Sequence, residues 1–296
     1  MLNLKKTTKY LFRNPRQLFK NSFSDYKKDK SKIKLVFNKV WCIGLPKSGT
    51  TLIENILEQL PYVEMFSSVF RKWENTDPNY MFDLNVPEKL FLDMPNDKNT
   101  YFKTHTKYSD LTRDIIKKNK LRVIISIRDL RDMMISRYFH IMSYKMHWQH
   151  DLIKDLPFDE GFKISIVNKK KEHELNPLTY YYLWINQWID YARKEKNTLV
   201  LNYEDYGKNK DNYISQILNY LKIDVNRFIL KNFDNLKIKN SNSLSYNLKN
   251  YGREKSTFRS GRSEQWKTLF NEKTANFFNQ NLPDSLEKLD FKIIKN

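Results

Sequence analysis

A short loop between an apolar run and a helical pattern carries the residue types that bind phosphate. Residues 44–51 read Gly-Leu-Pro-Lys-Ser-Gly-Thr-Thr, and the apolar residues after them recur at helical spacing. The N–H groups at the start of a helix attract anions, and the helix dipole adds to that attraction. Lys47 adds a positive charge and the hydroxyl side chains add donors. The residues that we expect to bind a phosphate-like group are Lys47, Ser48, Gly49, Thr50 and Thr51.

This loop differs from a standard Walker A sequence, in which the lysine follows a glycine and precedes Ser or Thr. Here Lys47 comes before Ser-Gly-Thr. A P-loop kinase or NTPase would also need an acidic magnesium ligand directly after a strand. Here the run 121–127 is followed by Arg128, and Asp129 comes one residue later. An ordinary strand-to-helix turn, in which Gly and Thr serve only geometry and capping, is the remaining alternative.

A second group of phosphate-binding residue types follows the apolar run 121–127. Arg128 closes that run, and Ser136 comes eight residues later, about two helical turns into the next pattern. An arginine beside a hydroxyl suits a phosphate, because the guanidinium binds two oxygens at once. A capped helix with surface Arg–Asp pairs would explain the same residues.

The sequence Lys-Thr-His at 103–105 ends another apolar run and brings a proton acceptor near the same edge. Near neutral pH, His105 could take a proton from a hydroxyl nucleophile. Lys103 could stabilise a developing negative charge. A lone histidine is more often structural, so this assignment depends on where the strand ends.

The segment 258–267 reads Phe-Arg-Ser-Gly-Arg-Ser-Glu-Gln-Trp-Lys and ends a stretch, 239–264, that has little periodicity. Two arginines around a glycine make a flexible cationic flap that could close over phosphates. A solvated basic loop is the alternative.

The elements that must position these groups alternate between strand and helix patterns. Such alternation predicts an α/β fold: a single P-loop-type domain with a central parallel sheet and helices on both faces. Ligands of such sheets bind at the carboxyl ends of the strands, which is where Lys47, His105, Arg128 and Tyr203 fall. The predicted strands are 33–44, 100–104, 121–127 and 198–203, and the predicted helices are 52–60, 129–147, 178–194 and 211–221.

Composition limits the class of protein without naming its partner. The net charge of +19, from 53 basic and 34 acidic residues, suits an anionic cofactor, a polyanion or an anionic membrane, and compositional drift explains part of it. Cys42 lies in an apolar run and excludes an intramolecular disulfide, because it is the one cysteine. We expect no transmembrane helix, no secretory signal and a cytoplasmic location. Residues 1–35 are predicted to be a basic N-terminal arm, able to contact a membrane surface, and residues 36–296 the domain.

Together these motifs resemble the sulfotransferases that use 3′-phosphoadenosine 5′-phosphosulfate (PAPS). The family's phosphosulfate loop, Pro-Lys-Ser-Gly-Thr-Thr, is matched without change at 46–51, and its 3′-phosphate motif spaces Arg and Ser as here at Arg128 and Ser136. The Lys-Thr-His of the cytosolic, small-molecule branch is found at 103–105, and its Tyr-Glu-Asp at 203–205. The family's C-terminal Phe-Arg-Lys-Gly corresponds to Phe258, Arg259, Ser260 and Gly261.

The resemblance implies in-line transfer of a sulfuryl group from PAPS to an acceptor hydroxyl or amine, with 3′,5′-adenosine bisphosphate (PAP) as product and no metal ion. It implies that His105 is the base and that Lys47, Lys103 and Ser136 complete the catalytic group. The implied cofactor-binding residues are Lys47, Ser48, Gly49, Thr50, Thr51, Arg128, Ser136, Tyr203, Phe258, Arg259, Ser260 and Gly261.

Two positions depart from the family pattern. Many cytosolic members have an adenine-stacking Trp where this chain has Leu52, so that contact is lost or supplied elsewhere. The flap lysine is replaced by Ser260, and Arg262 could compensate for the lost phosphate contact.

The acceptor is left open between a small molecule, a lipid and a glycan, and the oligomeric state is not predicted. A protein that binds nucleic acid without catalysing a reaction is an alternative from a different functional class. No nucleic-acid-binding module is recognisable in the sequence, and we expect no nucleic-acid partner. The aromatic residues after the 3′-phosphate motif either line an acceptor pocket or form the buried face of a helix: Tyr138, Phe139, Tyr144, His147 and Trp148.

Overall fold

A computed structural model describes residues 39–59, 63–65, 88–92, 94, 99–172, 174–223 and 261–283. The predicted N-terminal arm and the start of the first predicted strand lie outside this part, as does 239–260 of the aperiodic stretch. The strands are β1 (Lys39–Gly44), β2 (Val63–Met65), β3 (Asn99–Thr104), β4 (Arg122–Ile127) and β5 (Thr198–Asn202).

The helices of the described residues follow the strands in the order expected for an α/β fold. They are α1 (Thr50–Leu57), α2 (Lys89–Leu92), α3 (Asp110–Lys118), α4 (Leu130–Met142), α5 (His150–Ile153), α6 (Phe158–Val167), α7 (Pro177–Lys194), α8 (Tyr203–Lys208), α9 (Lys210–Tyr220), α10 (Trp266–Leu269) and α11 (Glu272–Gln280).

The strands form one sheet in the order β2-β3-β1-β4-β5, and every neighbouring pair is parallel. The chain first builds β2 and β3 on one side of β1 and then moves to the other side for β4 and β5. The carboxyl ends of β1, β3, β4 and β5 therefore meet at one edge around this change of direction, where ligands of open parallel sheets bind.

Alternate residues of each strand enter two different apolar cores, because successive side chains of a strand point to opposite faces. Trp41 packs with α4 and α7 on one face, whereas Cys42 packs with α1 and α9 on the other. Both side chains are fully buried, as the apolar sequence of β1 predicts for a strand covered on both faces. The predicted fold class is thus confirmed, and Cys42 is a buried thiol.

Helix caps correct two of the predicted boundaries. The fourth predicted strand included Tyr203, but Asn202 accepts a hydrogen bond from the N–H of Glu204 and so caps a helix that begins at Tyr203. The helix predicted over 129–147 begins later, because Asp129 is its N-cap, and it ends at Met142. No helix among the described residues is both long enough and apolar enough to cross a bilayer.

Candidate active site

The phosphate-type loop turns tightly between β1 and α1. The N–H of Ser48 donates to the carbonyl of Leu45 at 3.1 Å, and α1 begins two residues later at Thr50. Lys47 and Gly49 both adopt positive φ, of 75° and 104°. The loop therefore ends on a helix start, whose first N–H groups have no partner within the helix and attract anions.

The glycines of this loop are required by close packing. A Cβ on Gly44 would lie 2.5 Å from Cγ2 of Thr50 and 2.6 Å from Oγ of Ser48. A Cβ on Gly49 would lie 2.4 Å from Cδ2 of Tyr203. The Tyr203 ring thus packs directly on the loop, at the position where only the absence of a side chain leaves room for it.

Arg128 connects the loop with the C-terminal segment. Its side chain is buried at the end of β4 and lies over the ring of Tyr203, 4.6 Å from the ring centre. One Nη donates to the carbonyl of Lys47 at 3.4 Å and the other to the carbonyl of Arg262 at 2.8 Å. The hydroxyl of Tyr203 donates to the neighbouring carbonyl of Gly261 at 3.0 Å. Three sequence motifs that are distant along the chain therefore meet at one guanidinium.

The carboxylates of Asp132 and Glu204 also face Arg128, and neither residue has a role in the motifs described above. Oδ2 of Asp132 lies 3.5 Å from Nη2, and Oε1 of Glu204 lies 3.6 Å from Nε. Burial raises the pKa of both carboxyls, for Glu204 to about 7, and the Arg128 charge acts in the opposite direction. The i, i+4 spacing of Arg128 and Asp132 was a signal for the first contact; no local pattern signals the second.

His105 lies just beyond β3, beside the loop. Its Nδ1 is hydrogen-bonded to the carbonyl oxygen of Gly44. Because a carbonyl oxygen only accepts, Nδ1 carries the proton and the lone pair of the neutral ring is on Nε2. Burial lowers the pKa of His105 to about 4, so the ring is neutral at physiological pH. This tautomer can accept a proton at Nε2.

Buried hydrogen bonds hold the chain on both sides of His105. The indole N–H of Trp41 donates to Oγ1 of Thr104 at 2.8 Å, and the indole N–H of Trp184 donates to the carbonyl of Thr106 at 3.0 Å. All four of these partner residues are buried. The backbone that carries the imidazole is thus fixed to the sheet and to α7.

Lys103 is part of a buried ion pair. Its Nζ lies 2.6 Å from Oε2 of Glu54 on α1, and the two side chains are 8% and 1% exposed. No local sequence pattern signals Glu54 as the partner of Lys103, because the two residues lie on different elements. The positive charge of Lys103 is consequently shared with a carboxylate of α1.

The remaining predicted site residues lie on α4 and in the C-terminal segment. Ser136 is half-buried on α4, one helical turn beyond Asp132 and on the same side of the helix. Phe258, Arg259 and Ser260 lie outside the described residues. The substitute proposed for the flap lysine, Arg262, contacts the site through its carbonyl group.

The aromatic residues after the 3′-phosphate motif divide into two sets. Tyr138 is 4% exposed and, with Phe139, packs on the aromatic rings of α6, so these two belong to the core. The rings of Tyr144, His147 and Trp148 follow α4 and remain half-buried, with centroids 6.4 and 5.9 Å apart along the series. The buried-face interpretation therefore holds for the first two residues.

Most of the chain matches a known protein family. A family model described as "Sulfotransferase domain" matches residues 37–290. This chain belongs to the sulfotransferase family. The enzyme class and the family inferred from the motifs are thereby confirmed, and the kinase alternative loses its support.

Solved structures share the fold of this sulfotransferase at low sequence identity. Mouse sulfotransferase SULT7A1 complexed with PAP is 16% identical, with 82% of each chain covered and a TM-score of 0.56. Retinol dehydratase in complex with androsterone and the inactive cofactor PAP is 18% identical, with 87% of this chain and 83% of that chain covered and a TM-score of 0.56. Curated protein sequences give no significant match.

No cluster of three or more His, Cys, Asp or Glu suited to a metal ion occurs in the described part of the sulfotransferase. The groups that converge at the sheet edge are cations, hydroxyls, helix-start N–H groups, the two carboxylates that face Arg128 and one neutral imidazole. The N–H groups at the start of α1 suit an anion, and the imidazole is a proton acceptor at the same edge.

Proposed function

We propose that this sulfotransferase moves a sulfuryl group from PAPS to a hydroxyl or amine of a small-molecule, lipid or glycan acceptor. The observation that carries the proposal is the meeting of three groups at one sheet edge: the helix start after Gly49, the Arg128 guanidinium and the imidazole of His105. The first two suit the phosphates of a nucleotide, and the third suits removal of an acceptor proton.

Two buried polar atoms support a phosphate ligand at this edge. Oγ of Ser48 and Nε of Arg128 are buried and have no hydrogen-bond partner within the described residues, although Oε1 of Glu204 lies 3.6 Å from Nε. Buried polar groups are nearly always satisfied, so such atoms mark where a ligand or water belongs. The carbonyl of Ser48 already accepts from Oγ of Ser126 at 2.7 Å, which holds the loop in place. These residues fit an anionic cofactor.

Each end of the nucleotide has its own proposed set of residues. The 5′-phosphate would lie at the start of α1, while the 3′-phosphate would lie between β4, α4 and the C-terminal segment. Tyr203 would lie beside the nucleoside. The proposed residues are Lys47, Ser48, Gly49, Thr50 and Thr51 for the first group, and Arg128, Ser136, Phe258, Arg259, Ser260 and Gly261 for the second.

The cofactor would supply an activated sulfuryl group with PAP as the leaving group. Nε2 of His105 would take the proton of the acceptor oxygen or nitrogen, and PAP would leave with the bridging oxygen. Lys47 would stabilise the negative charge on the leaving group. Lys103 shares its charge with Glu54, so we expect it to contribute less than Lys47.

The half-buried rings that follow α4 are the candidate residues for an acceptor with a flat apolar part. Aromatic faces bind such groups by stacking, and Tyr144, His147 and Trp148 form a continuous series. The structural neighbours include retinol dehydratase complexed with retinol and PAP, and the same enzyme complexed with androsterone. A hydroxylated small molecule is therefore the acceptor class that we would test first, before lipids and glycans.

Calorimetric titration with PAP tests the cofactor assignment, with ATP and AMP as competing ligands. We expect tight binding of PAP alone, weakened about 10- to 100-fold in Arg128→Ala, because a charge-assisted hydrogen bond contributes about 1.5–3 kcal/mol. Arg122→Ala is a matched control. Arg122 lies at the opposite end of β4. Its guanidinium lies over the ring of Tyr220 and donates a hydrogen bond to the main-chain carbonyl of the same residue. A preference for ATP with Mg²⁺, or equal losses in both variants, would contradict the proposal.

A further inference from the structure

The guanidinium proposed to bind the 3′-phosphate lies between two carboxylates that it does not hydrogen-bond. Nε of Arg128, Oδ2 of Asp132 and Oε1 of Glu204 are all buried, and none of them has a hydrogen-bond partner in the described residues. Their separations of 3.5 and 3.6 Å are short enough for strong electrostatic attraction but not for well-formed hydrogen bonds. The guanidinium is thus attracted by both carboxylates, while its hydrogen bonds go to the main-chain carbonyls of Lys47 and Arg262.

The charge balance of this cluster is unfavourable for an anionic ligand. With both acids ionised, one positive and two negative charges leave the cluster with a net charge of −1. Asp129 does not change this balance, because Arg131 pairs with it at 2.5 Å. A phosphate bound to Arg128 would therefore meet two carboxylates a few ångströms away, and like charges at that range disfavour ionisation.

We propose that Glu204 positions the Arg128 guanidinium in the free enzyme and takes up one proton from solvent when the 3′-phosphate of PAP binds. The inference rests on the proposed function, because it requires PAP as the ligand. The phosphate then replaces the Glu204 carboxylate as the counter-charge of Arg128. Solvent can deliver a proton to Glu204 more readily than to Asp132, because the Glu204 side chain is 13% exposed and that of Asp132 is fully buried.

The groups that face Glu204 agree with this exchange. Arg128 is its cationic neighbour, and the N–H of Asp129 donates to its Oε2 at 3.3 Å. The neighbouring acids Asp129 and Asp132 and the phenol of Tyr203 add no positive charge. The loop and the C-terminal segment reach Arg128 through main-chain carbonyls, of Lys47 and Arg262. Arg128 is therefore the group whose engagement by phosphate changes the charge environment of Glu204.

The expected effect follows from proton linkage. The free-state pKa of Glu204 is about 7, so at pH 6 the carboxyl is already mostly protonated and at pH 8 it is mostly ionised. If binding requires the protonated form, the ionisation of Glu204 by itself lowers the affinity for PAP about tenfold from pH 6 to pH 8. Calorimetry at pH 8 in two buffers of different ionisation enthalpy should then show that the complex takes up about one proton. The phosphate groups of PAP do not contribute to this count, since a phosphate monoester with a pKa of about 6 is already a dianion at pH 8.

Glu204→Gln separates this role from a structural one. The amide keeps the shape but cannot titrate, so we expect the fall in affinity and the proton uptake to disappear, and affinity at pH 8 to approach that of the wild type at pH 6. Asp205→Asn is the matched control, an adjacent acid on α8 that is 45% exposed and pairs with Lys208 at 3.1 Å. It should keep the wild-type pH dependence. Glu204→Asp, which can still titrate, should keep proton uptake even if its affinity changes.

The outcomes distinguish the inference from the proposed function. If wild-type enzyme binds PAP but Glu204→Gln keeps the same pH dependence and proton uptake, the inference is wrong and the proposed function stands. If folded wild-type enzyme does not bind PAP at either pH, both are wrong. Thermal unfolding of each variant shows whether it is folded under the conditions of the titration.

Discussion

The buried pair of Lys103 and Glu54 provides a test of how the site is held together. Its two charged atoms are 2.6 Å apart, and the side chains are 8% and 1% exposed. Oε1 of Glu54 is buried without a hydrogen-bond partner in the described residues, so the carboxylate depends mainly on the lysine. Removing one member of such a pair leaves an uncompensated charge in the interior, which costs about 3–5 kcal/mol. We expect Glu54→Gln and Lys103→Met each to lose stability by that amount.

The measurement is the free energy of unfolding in urea at 25 °C for both single variants and the double variant. The double variant removes both charges and should lose less stability than either single variant, because no unpaired charge remains. The pair of Lys117 and Glu195 is a matched control, with the same chemistry and a 2.7 Å separation but side chains that are 54% and 26% exposed. Glu195→Gln should cost about 0–1 kcal/mol.

Two results would refute this account of the pair. One is a Glu54→Gln variant that is destabilised no more than Glu195→Gln, which would mean that burial does not strengthen the dependence on the partner. The other is a double variant whose loss equals the sum of the single losses, which would mean that Lys103 and Glu54 act independently.

Three further predictions concern the base, the loop and the C-terminal segment. His105→Ala should lower kcat about 10²–10⁴-fold without weakening PAP binding. The pKa of about 4 keeps the His105 ring neutral, so the activity of the wild-type enzyme should not fall through protonation of His105 between pH 8 and pH 6. Gly49→Ala should destabilise the enzyme by more than about 1 kcal/mol in urea unfolding, since φ of 104° disfavours a side chain and the added Cβ would overlap the Tyr203 ring. Arg131→Gln and Trp266→Leu should show a coupling of about 0.5–2 kcal/mol in a double-mutant cycle, because the guanidinium lies 3.6 Å from the indole ring centre; additive losses would contradict that contact.

The loop and the strand ends could be predicted because their signals are local. The sequence Pro-Lys-Ser-Gly-Thr-Thr at 46–51 follows an apolar run and precedes a helical pattern, and the structure has β1, a tight turn and α1 there. The placement of His105 and Arg128 beyond the two strands that flank β1 followed from the rule that parallel strands end at one edge. Two boundaries were predicted wrongly, since capping by Asn202 and Asp129 decides where α8 and α4 begin.

The sequence alone determined which residue types lie at the ends of the strands, because strand and helix periodicity and the spacing within a motif are properties of the local chain. Only the tertiary structure decided which charges face each other. Glu204 reaches Arg128, and Glu54 reaches Lys103, across elements that are far apart along the chain, and the carbonyl that receives Arg128 lies 134 residues away. Strand register and helix packing set these contacts, and no local pattern encodes either. The ionisation of the site follows from them, since burial and neighbouring charge fix each pKa.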